Sequence, residues 1–209
     1  MLSDLLTEKL DSREISVSLE NILQNSKASS GGERDVNFFR FLLDNNLLSR
    51  EERILKRTVI DFKEEYYEDR YVKMSHESSR HYLCRTTIQD ELEKLGINTI
   101  SSTDVGDMNI LRSNSNYDIA ASDLSFIMDI GLTPARNFFR GLTDLRVKYY
   151  LITTYFDDYM DDIIFALFRR TNDSTFIDAI KDYEDSFKTY TSVALEAQLD
   201  NNRNDLQTY

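Results

Sequence analysis

The chain has 209 residues, of which 41% are hydrophobic and 11% aromatic, and this apolar content excludes a globally disordered chain. The net charge is −12, and residues 156–209 contribute −7 of it from 12 acidic and 5 basic side chains, which disfavours nonspecific binding to nucleic acid phosphates. A single cysteine excludes an internal disulfide and a multi-cysteine zinc site, and no apolar run reaches the roughly 20 residues that a membrane span needs. With no secretion-signal pattern at residues 1–10, we expect a cytoplasmic protein that does not contact membranes.

The N-terminal part of the chain predicts helices. Leucine and isoleucine at helical spacing predict a helix over residues 2–23, and a dense apolar run predicts a short buried helix over residues 35–48. Ser49 and Glu52 form a capping-box pattern, which predicts that a longer, charged helix begins there. Residues 1–83 are therefore expected to be an N-terminal helical region.

The middle of the chain, residues 84–155, predicts a different order: helix, strand, strand, strand, helix, strand. The predicted helices are residues 86–95 and 135–142, and the predicted strands are residues 97–101, 117–120, 124–130 and 147–155. A helix between two strands favours a crossover to a parallel neighbour, and the earlier strands are close enough for a hairpin. The expected fold is α+β or α/β, with a small mixed β-sheet over about residues 97–155 flanked by N- and C-terminal helices.

Residues 156–209 predict acidic helices. A helix is expected over residues 158–170, with acids in its first turn and arginines in its last, as the helix dipole favours. From Phe176 to Ala197, apolar side chains recur at alternating steps of four and three, which is a heptad seam. Such a seam packs onto the protein's own core or pairs with a partner helix, including that of a second copy.

Two carboxylates are the residues best suited to form a metal-binding or catalytic site. Asp118 begins one predicted strand and Asp129 lies near the end of the next, so a hairpin would bring them toward one region of the sheet. Glu91, on the preceding helix, is the candidate for a third acid. Converging carboxylates bind a hard cation such as Mg²⁺ and leave positions for water and phosphate. The structural alternative is that both aspartates simply lie at strand ends.

The same residues resemble a known family. The similarity covers residues 86–155 and rests on Tyr117-Asp118-Ile119, on Phe126-Ile127-Met128-Asp129-Ile130-Gly131, and on the helix and strand that follow. This pattern resembles the core of the PD-(D/E)XK nuclease superfamily. The resemblance implies Glu91, Asp118 and Asp129 as Mg²⁺ ligands, the two aspartates as catalytic residues, and DNA or another nucleic acid as the ligand. The superfamily's lysine, two residues after the second acid, is replaced by Gly131.

Other basic residues are candidates for the missing positive charge. Arg136 and Arg140 lie one turn apart on the helix after Asp129, and we expect them to contact phosphate. Arginine remains protonated and cannot act as a base. Lys148 is a further candidate.

Three lesser candidates have simpler interpretations. The acids Asp157, Asp158, Asp161 and Asp162 are typical of a helix N-terminus, although they would also suit a cation. Cys84 and His81, three residues apart on a predicted helix, have nucleophile chemistry but lack a third group. His76 has no evident partner in the sequence.

Two functions therefore follow from the sequence. The first is a nuclease-like domain that binds or acts on nucleic acid, Mg²⁺-dependent if active. The second is a non-catalytic protein whose acidic helices bind a protein partner or regulate it.

Overall fold

The computed structural model describes residues 10–13, 32–56, 73, 77–101, 117–131, 133, 135–155 and 162–186. The chain divides into two compact units, Met1–Thr171 and Asn172–Tyr209. In the second unit, residues 173–186 are helical and are named α4. No helix in the described ranges has both the length and the apolar character that a membrane crossing requires.

The described residues of the first unit form seven strands and three helices. In chain order they are β1 (Asp11–Arg13), α1 (Gly32–Asp44), β2 (Leu48–Lys56), α2 (Ser79–Lys94), β3 (Thr99–Ser101), β4 (Ile119–Ala121), β5 (Phe126–Ile130), α3 (Ala135–Thr143), β6 (Tyr149–Thr153) and β7 (Asp162–Arg170).

All seven strands belong to one mixed sheet, in the order β1-β2-β7-β6-β5-β4-β3. The neighbours β5 and β6 are parallel, and α3 makes the crossover between them, while the other neighbours are antiparallel. The predicted mixed sheet, the hairpin and the parallel crossover are therefore confirmed, and the fold is α+β. The same strands exclude an all-helical protein.

Two segments predicted as helices are strands. The segment predicted as a helix from Ser49 forms β2, and the helix predicted over residues 158–170 is wrong because Asp162–Arg170 forms β7. The two strands pair from Leu48 opposite Arg170 to Lys56 opposite Asp162. Both predictions failed because each rested only on residues that are close together in the sequence. The capping-box residues lie within a strand, and the apolar run of β7 is buried on both sheet faces, a pattern that also fits a helix. Pairing with a distant segment decided the outcome.

The predicted N-terminal helices are also corrected in part. Residues 11–13, inside the predicted helix 2–23, form β1, and the rest of that helix lies outside the described residues except Leu10. Helix α1 ends earlier than expected because Asn46 has a φ of 53° and the Leu47 N–H donates to the Leu42 carbonyl at 2.8 Å, a left-handed cap. The division of the chain at residues 83 and 155 stays a prediction.

Helix α2 covers one face of the sheet. Its Cys84, Ile88 and Leu92 side chains belong to one buried cluster with Met128 of β5 and Leu151 of β6. Gly96, with a φ of +81°, ends the helix directly after the predicted end at residue 95. The N-terminus of α2 is fixed by Ser78, whose side chain accepts a hydrogen bond from the His81 N–H.

Helices α1 and α3 cover the opposite face with an aromatic cluster. Phe138 of α3 contacts Tyr150 at 4.7 Å and Phe168 at 5.1 Å between ring centroids, and Phe39 of α1 contacts the same Phe168 at 5.4 Å. Gly141 lets α3 approach closely, because a Cβ there would lie 2.5 Å from the Ile127 Cδ1 atom. Both faces of β5 are therefore covered, and all five of its residues are buried.

Candidate functional site

The hairpin of β4 and β5 brings Asp118 and Asp129 together. Ile119 pairs with Met128, and the Asp118 N–H donates to the Met128 carbonyl at 3.1 Å, so Asp118, directly before β4, lies beside Asp129 of β5. The Asp118 Oδ2 atom then accepts the Ile130 N–H at 2.7 Å. This places the Asp118 carboxylate at the carboxyl end of β5, beside the backbone that follows Asp129.

Asp129 is held in a buried position by a tyrosine. The Tyr150 hydroxyl donates to the Asp129 Oδ2 atom at 2.6 Å, and Asp129 is only 8% exposed. Burial, and then the charge of Asp118, raise the pKa of Asp129 to about 6, although the Tyr150 hydrogen bond opposes the shift. The pKa of Tyr150 is raised well above its ordinary value, first by burial and then by the charge of Asp129, so Tyr150 remains a donor. Asp129 is thus an acid that titrates close to neutral pH.

His81 bridges two carboxylates at the N-terminus of α2. Its Nδ1 atom lies 2.7 Å from the Glu77 Oε1 atom, and its Nε2 atom lies 3.1 Å from the Asp118 Oδ2 atom. An ionised carboxylate only accepts hydrogen bonds, so both ring nitrogens must carry protons for both contacts to be made. Burial alone lowers the pKa of His81, but the hydrogen bonds to Asp118 and Glu77, with their charges, raise it to about 9. At neutral pH the ring is therefore an imidazolium.

Arg85 completes a row of alternating charges. Its guanidinium donates twice to Glu77, from Nε at 2.9 Å and from Nη2 at 2.8 Å, and Arg85 is fully buried. The Gln89 side-chain oxygen accepts from the Arg85 Nη1 atom at 3.0 Å. Arg85, Glu77, His81 and Asp118 thus alternate in sign, which links helix α2 to the start of β4.

Gly131 and Tyr155 form the wall of the site. The Gly131 N–H donates to the Thr153 carbonyl at 2.7 Å, and its φ of +92° lies in the region that favours glycine. A Cβ at this position would lie 3.0 Å from the Tyr155 ring. That ring in turn contacts the His81 ring at 5.9 Å between centroids, and the Arg80 guanidinium lies 5.6 Å from the Tyr155 centroid. The backbone itself therefore disfavours a lysine at position 131.

Glu91, the predicted third acid, lies away from the two aspartates. It is in the last turn of α2, where its carboxylate contacts the Lys94 Nζ atom at 2.8 Å. At 1.5 Å per residue, Glu91 lies about 15 Å along the helix from His81. The acid that the helix brings to Asp118, through His81, is instead Glu77, just before the N-cap Ser78.

Within the described residues, Arg140 and Lys148 do not contact the two aspartates. Arg140 is exposed on α3, and Arg136 lies in the first turn of α3 with a side chain outside the described residues. Lys148 is exposed, and its N–H donates to the Ser125 carbonyl at the opposite end of β5 from Asp129. Arg136 and Arg140 stay predictions as phosphate contacts, and Lys148 is too far along the strand to replace the motif lysine.

The lesser candidates have simple outcomes. Asp162 is exposed as the first residue of β7, while Asp157, Asp158, Asp161 and His76 lie outside the described residues. The Cys84 thiol is buried within the core cluster. The His81 ring contacts carboxylates through both nitrogens, so its role differs from the nucleophile pairing considered for it.

Sequence reasoning missed the supporting residues Glu77, Tyr150 and Tyr155. A signal for the first existed, because Ser78 followed by a helical pattern predicts an N-cap, which would place Glu77 and His81 at one helix end. No local signal marks Tyr150 or Tyr155, whose contacts arise from the parallel pairing of β5 with β6.

Comparison of the chain with protein-family models, curated protein sequences and solved structures finds no match. In the described ranges, no three His, Cys, Asp or Glu side chains are grouped so that they could hold a metal ion. The function must therefore be argued from the two carboxylates and their neighbours.

Proposed function

We propose that the protein is a nuclease-like domain of the PD-(D/E)XK type, which binds nucleic acid at the carboxyl ends of β5 and β6 and, with Mg²⁺, cleaves its phosphodiester bonds. The observation that carries this proposal is that Asp118, directly before β4, lies beside Asp129 of the adjacent strand β5. The succession α2-β3-β4-β5-α3-β6, with one parallel pair at β5 and β6, supports it, because it is the order that the resemblance implies.

The carboxylate pair suits Mg²⁺ in its donor chemistry. Mg²⁺ is commonly bound through one or two carboxylates together with substrate phosphate oxygens and water. Asp118 and Asp129 would hold the ion, which when bound polarises the phosphate and lowers the pKa of a water molecule. Glu91 has no part in this proposal, because it lies at the other end of α2.

The chain's own residues orient the pair. The Ile130 N–H fixes the Asp118 carboxylate, and the Tyr150 hydroxyl fixes that of Asp129. Both donors belong to the buried sheet, so the carboxylates are positioned before any ligand arrives, which is the condition for efficient electrostatic stabilisation. Arg136 and Arg140, on the helix that follows, are proposed to contact phosphate.

The test compares cleavage of single- and double-stranded DNA, with Mg²⁺ or Mn²⁺, by the wild type and by a double variant, Asp118→Asn with Asp129→Asn. We expect cleavage by the wild type and its loss in the double variant. Asp162→Asn is the matched control, because it removes an exposed carboxylate from the same sheet. Equal cleavage by the wild type and the double variant, or none by the wild type with either ion, would refute the proposal.

A second candidate function, a non-catalytic interaction protein, is favoured by the surface of α4. Its exposed side chains are mainly acidic, with Lys181 among them, and the acids are Asp173, Asp178, Asp182, Glu184 and Asp185. In the predicted heptad seam, Phe176 and Ile180 are buried, while the positions from Phe187 onward lie outside the described residues. A protein partner with a basic surface is proposed, and pairing through the seam with a second copy stays a prediction.

This second function predicts salt-sensitive binding of a basic peptide. We expect binding measured by fluorescence anisotropy to weaken as the salt concentration rises, and also when Asp178, Asp182 and Asp185 are replaced by asparagine. Both changes reduce the attraction between the acidic helix and the basic peptide. Retained binding in the triple variant would contradict it.

We also propose a cytoplasmic setting, in which the Cys84 thiol stays reduced.

A further inference from the structure

One oxygen of the Asp118 carboxylate, Oδ2, already has two donors. The Oδ2 atom accepts the Ile130 N–H at 2.7 Å and lies 3.1 Å from the His81 Nε2 atom. A carboxylate oxygen has two lone pairs, so these two contacts use its accepting capacity. A cation can bind to Oδ2 only if one donor leaves.

Of the two donors, His81 is the one that can move. The Ile130 N–H belongs to the backbone of β5, which pairs with strands on both sides. The His81 ring is a side chain at the first turn of α2, it is 15% exposed, and its neighbour Tyr155 follows β6 and is partly exposed. A rotation of the His81 side chain would release Asp118 without disturbing the sheet.

The charge of His81 matches that of a metal ion in sign. Because both ring nitrogens face carboxylate oxygens, the ring is a cation as long as both contacts are made. Glu77 has a second cationic partner in Arg85, whereas Asp118 has His81 as the cationic partner that the structure gives it. The carboxylate of Asp118 is therefore balanced by a side chain of the protein itself.

The conformation at Gly131 leaves the positive charge beside Asp118 to come from His81 of α2. The left-handed conformation of Gly131 and the Tyr155 ring 3.0 Å from its Cβ position disfavour a long basic side chain there. The Tyr155 ring lies next to both Gly131 and the His81 ring. His81 thus reaches the same part of the site from a different element of the fold.

We propose that His81 is the resident cation of the carboxylate site and takes the place against Asp118 that a divalent ion would take. Metal binding through the Asp118 Oδ2 atom then requires the imidazolium to leave, so the wild-type site binds divalent ions weakly. The inference rests on the proposed function only in taking these two aspartates as the metal-binding pair.

The experiment is a calorimetric titration of the full chain with Mn²⁺ alone, without nucleic acid. We expect His81→Gln to bind Mn²⁺ at least about tenfold more tightly than the wild type, since a neighbouring charge at this distance changes the affinity for a cation by that order. His81→Lys keeps a positive charge and should bind as weakly as the wild type. The gain should disappear when Asp118→Asn is added to His81→Gln.

Two controls separate displacement from general electrostatics and from unfolding. Arg80→Gln removes a positive charge one residue away, and an equal gain in that variant would overturn the proposal. Circular dichroism establishes that each variant is folded. The Gln and Lys substitutions both replace His81, so a difference between them reflects the charge and not the loss of the histidine. Equal Mn²⁺ affinity in the wild type and in folded His81→Gln would also overturn it. Because the titration uses the ion alone, failure to cleave DNA does not affect this result.

Discussion

The two ends of helix α2 each place one cation between two carboxylates, but they do so in different ways. At the C-terminal end, Lys94 contacts Asp90 at 2.9 Å and Glu91 at 2.8 Å, all within one helix. At the N-terminal end, His81 contacts Glu77 at 2.7 Å and Asp118 at 3.1 Å. The first arrangement follows from helical spacing alone, whereas the second exists only because the sheet brings β4 to the helix.

Burial separates the two ends further. The Lys94 side chain is 41% exposed and that of His81 15%, while Glu77 and Arg85 beside His81 are almost completely buried. Water screens the lysine pairings, and it screens the histidine pairings much less. The comparison indicates that the N-terminal end contributes more to stability and is the end suited to chemistry.

The largest expected effect comes from the buried partner of Glu77. Arg85→Leu leaves the Glu77 carboxylate buried with one cationic partner fewer, and we expect it to lower the free energy of unfolding by about 3–5 kcal/mol. Urea unfolding measures the change. A loss below about 1 kcal/mol would mean that the buried pair of Arg85 and Glu77 contributes no more to stability than an exposed ion pair.

The pH dependence of stability should come from His81. The folded-state pKa is about 9 and the usual value is 6.5, so the stabilisation is complete below pH 6.5 and is lost as the pH rises to 9. We expect a loss of about 3 kcal/mol across this window in the wild type and a flatter profile in His81→Gln. Urea unfolding at pH 6, 7.5 and 9.5 tests this.

The C-terminal end of α2, with Lys94, should not contribute to the change of stability with pH. Burial lowers the pKa of Lys94, but hydrogen bonds to Glu91 and Asp90 outweigh it and raise the pKa above its ordinary value. Lys94 therefore stays charged throughout the window in which His81 titrates. A slope that persists unchanged in His81→Gln would mean that another group causes it.

Asp129 should show the same sign of pH dependence in a lower pH window, but replacing it should stabilise the protein. Its folded-state pKa of about 6 is above the usual 3.8, so the folded protein loses stability as the pH rises from about 4 to 6. We expect Asp129→Asn to stabilise the protein by about 2 kcal/mol at pH 7.5 and to have little effect at pH 4. This is the expected trade-off between stability and function at a site that holds a buried charge.

A matched substitution at the other end sharpens this result. Glu91→Gln removes a carboxylate that Lys94 pairs with, so it should lower stability or leave it unchanged at pH 7.5. Thermal unfolding of both variants at both pH values makes the comparison. Equal changes in the two variants would remove the distinction between the two ends of α2.

The same comparison shows which parts of the molecule the sequence can predict. Asp118 and Asp129 were predicted to meet because a short hairpin is a local feature, and the crossover through α3 followed from the order of elements. Glu91 was chosen as the third acid because it lies on the correct helix, but sequence spacing does not say which end of a helix approaches the sheet.

The remaining errors have the same physical origin. The pairing of β2 with β7 joins segments separated by most of the chain, so the local pattern at Ser49 predicted a helix. The link between His81 and Asp118, and the hydrogen bond from Tyr150 to Asp129, likewise depend on strand pairing. Local propensity predicts the elements that neighbouring residues decide, and it fails where distant segments meet.

The smallest effect is expected at Lys94. Replacing Lys94 by Met keeps the aliphatic part of the side chain and removes the charge, so Asp90 and Glu91 lose a partner that is 41% exposed. We expect a loss of about 1 kcal/mol, because solvent already screens the Lys94 ammonium, although the Asp90 and Glu91 side chains are only 4% and 8% exposed. Urea unfolding of Lys94→Met beside Arg85→Leu gives the ratio of the two effects. If Lys94→Met costs as much as Arg85→Leu, then burial does not separate the two ends of α2, and helical spacing alone is enough to build a strong charge cluster.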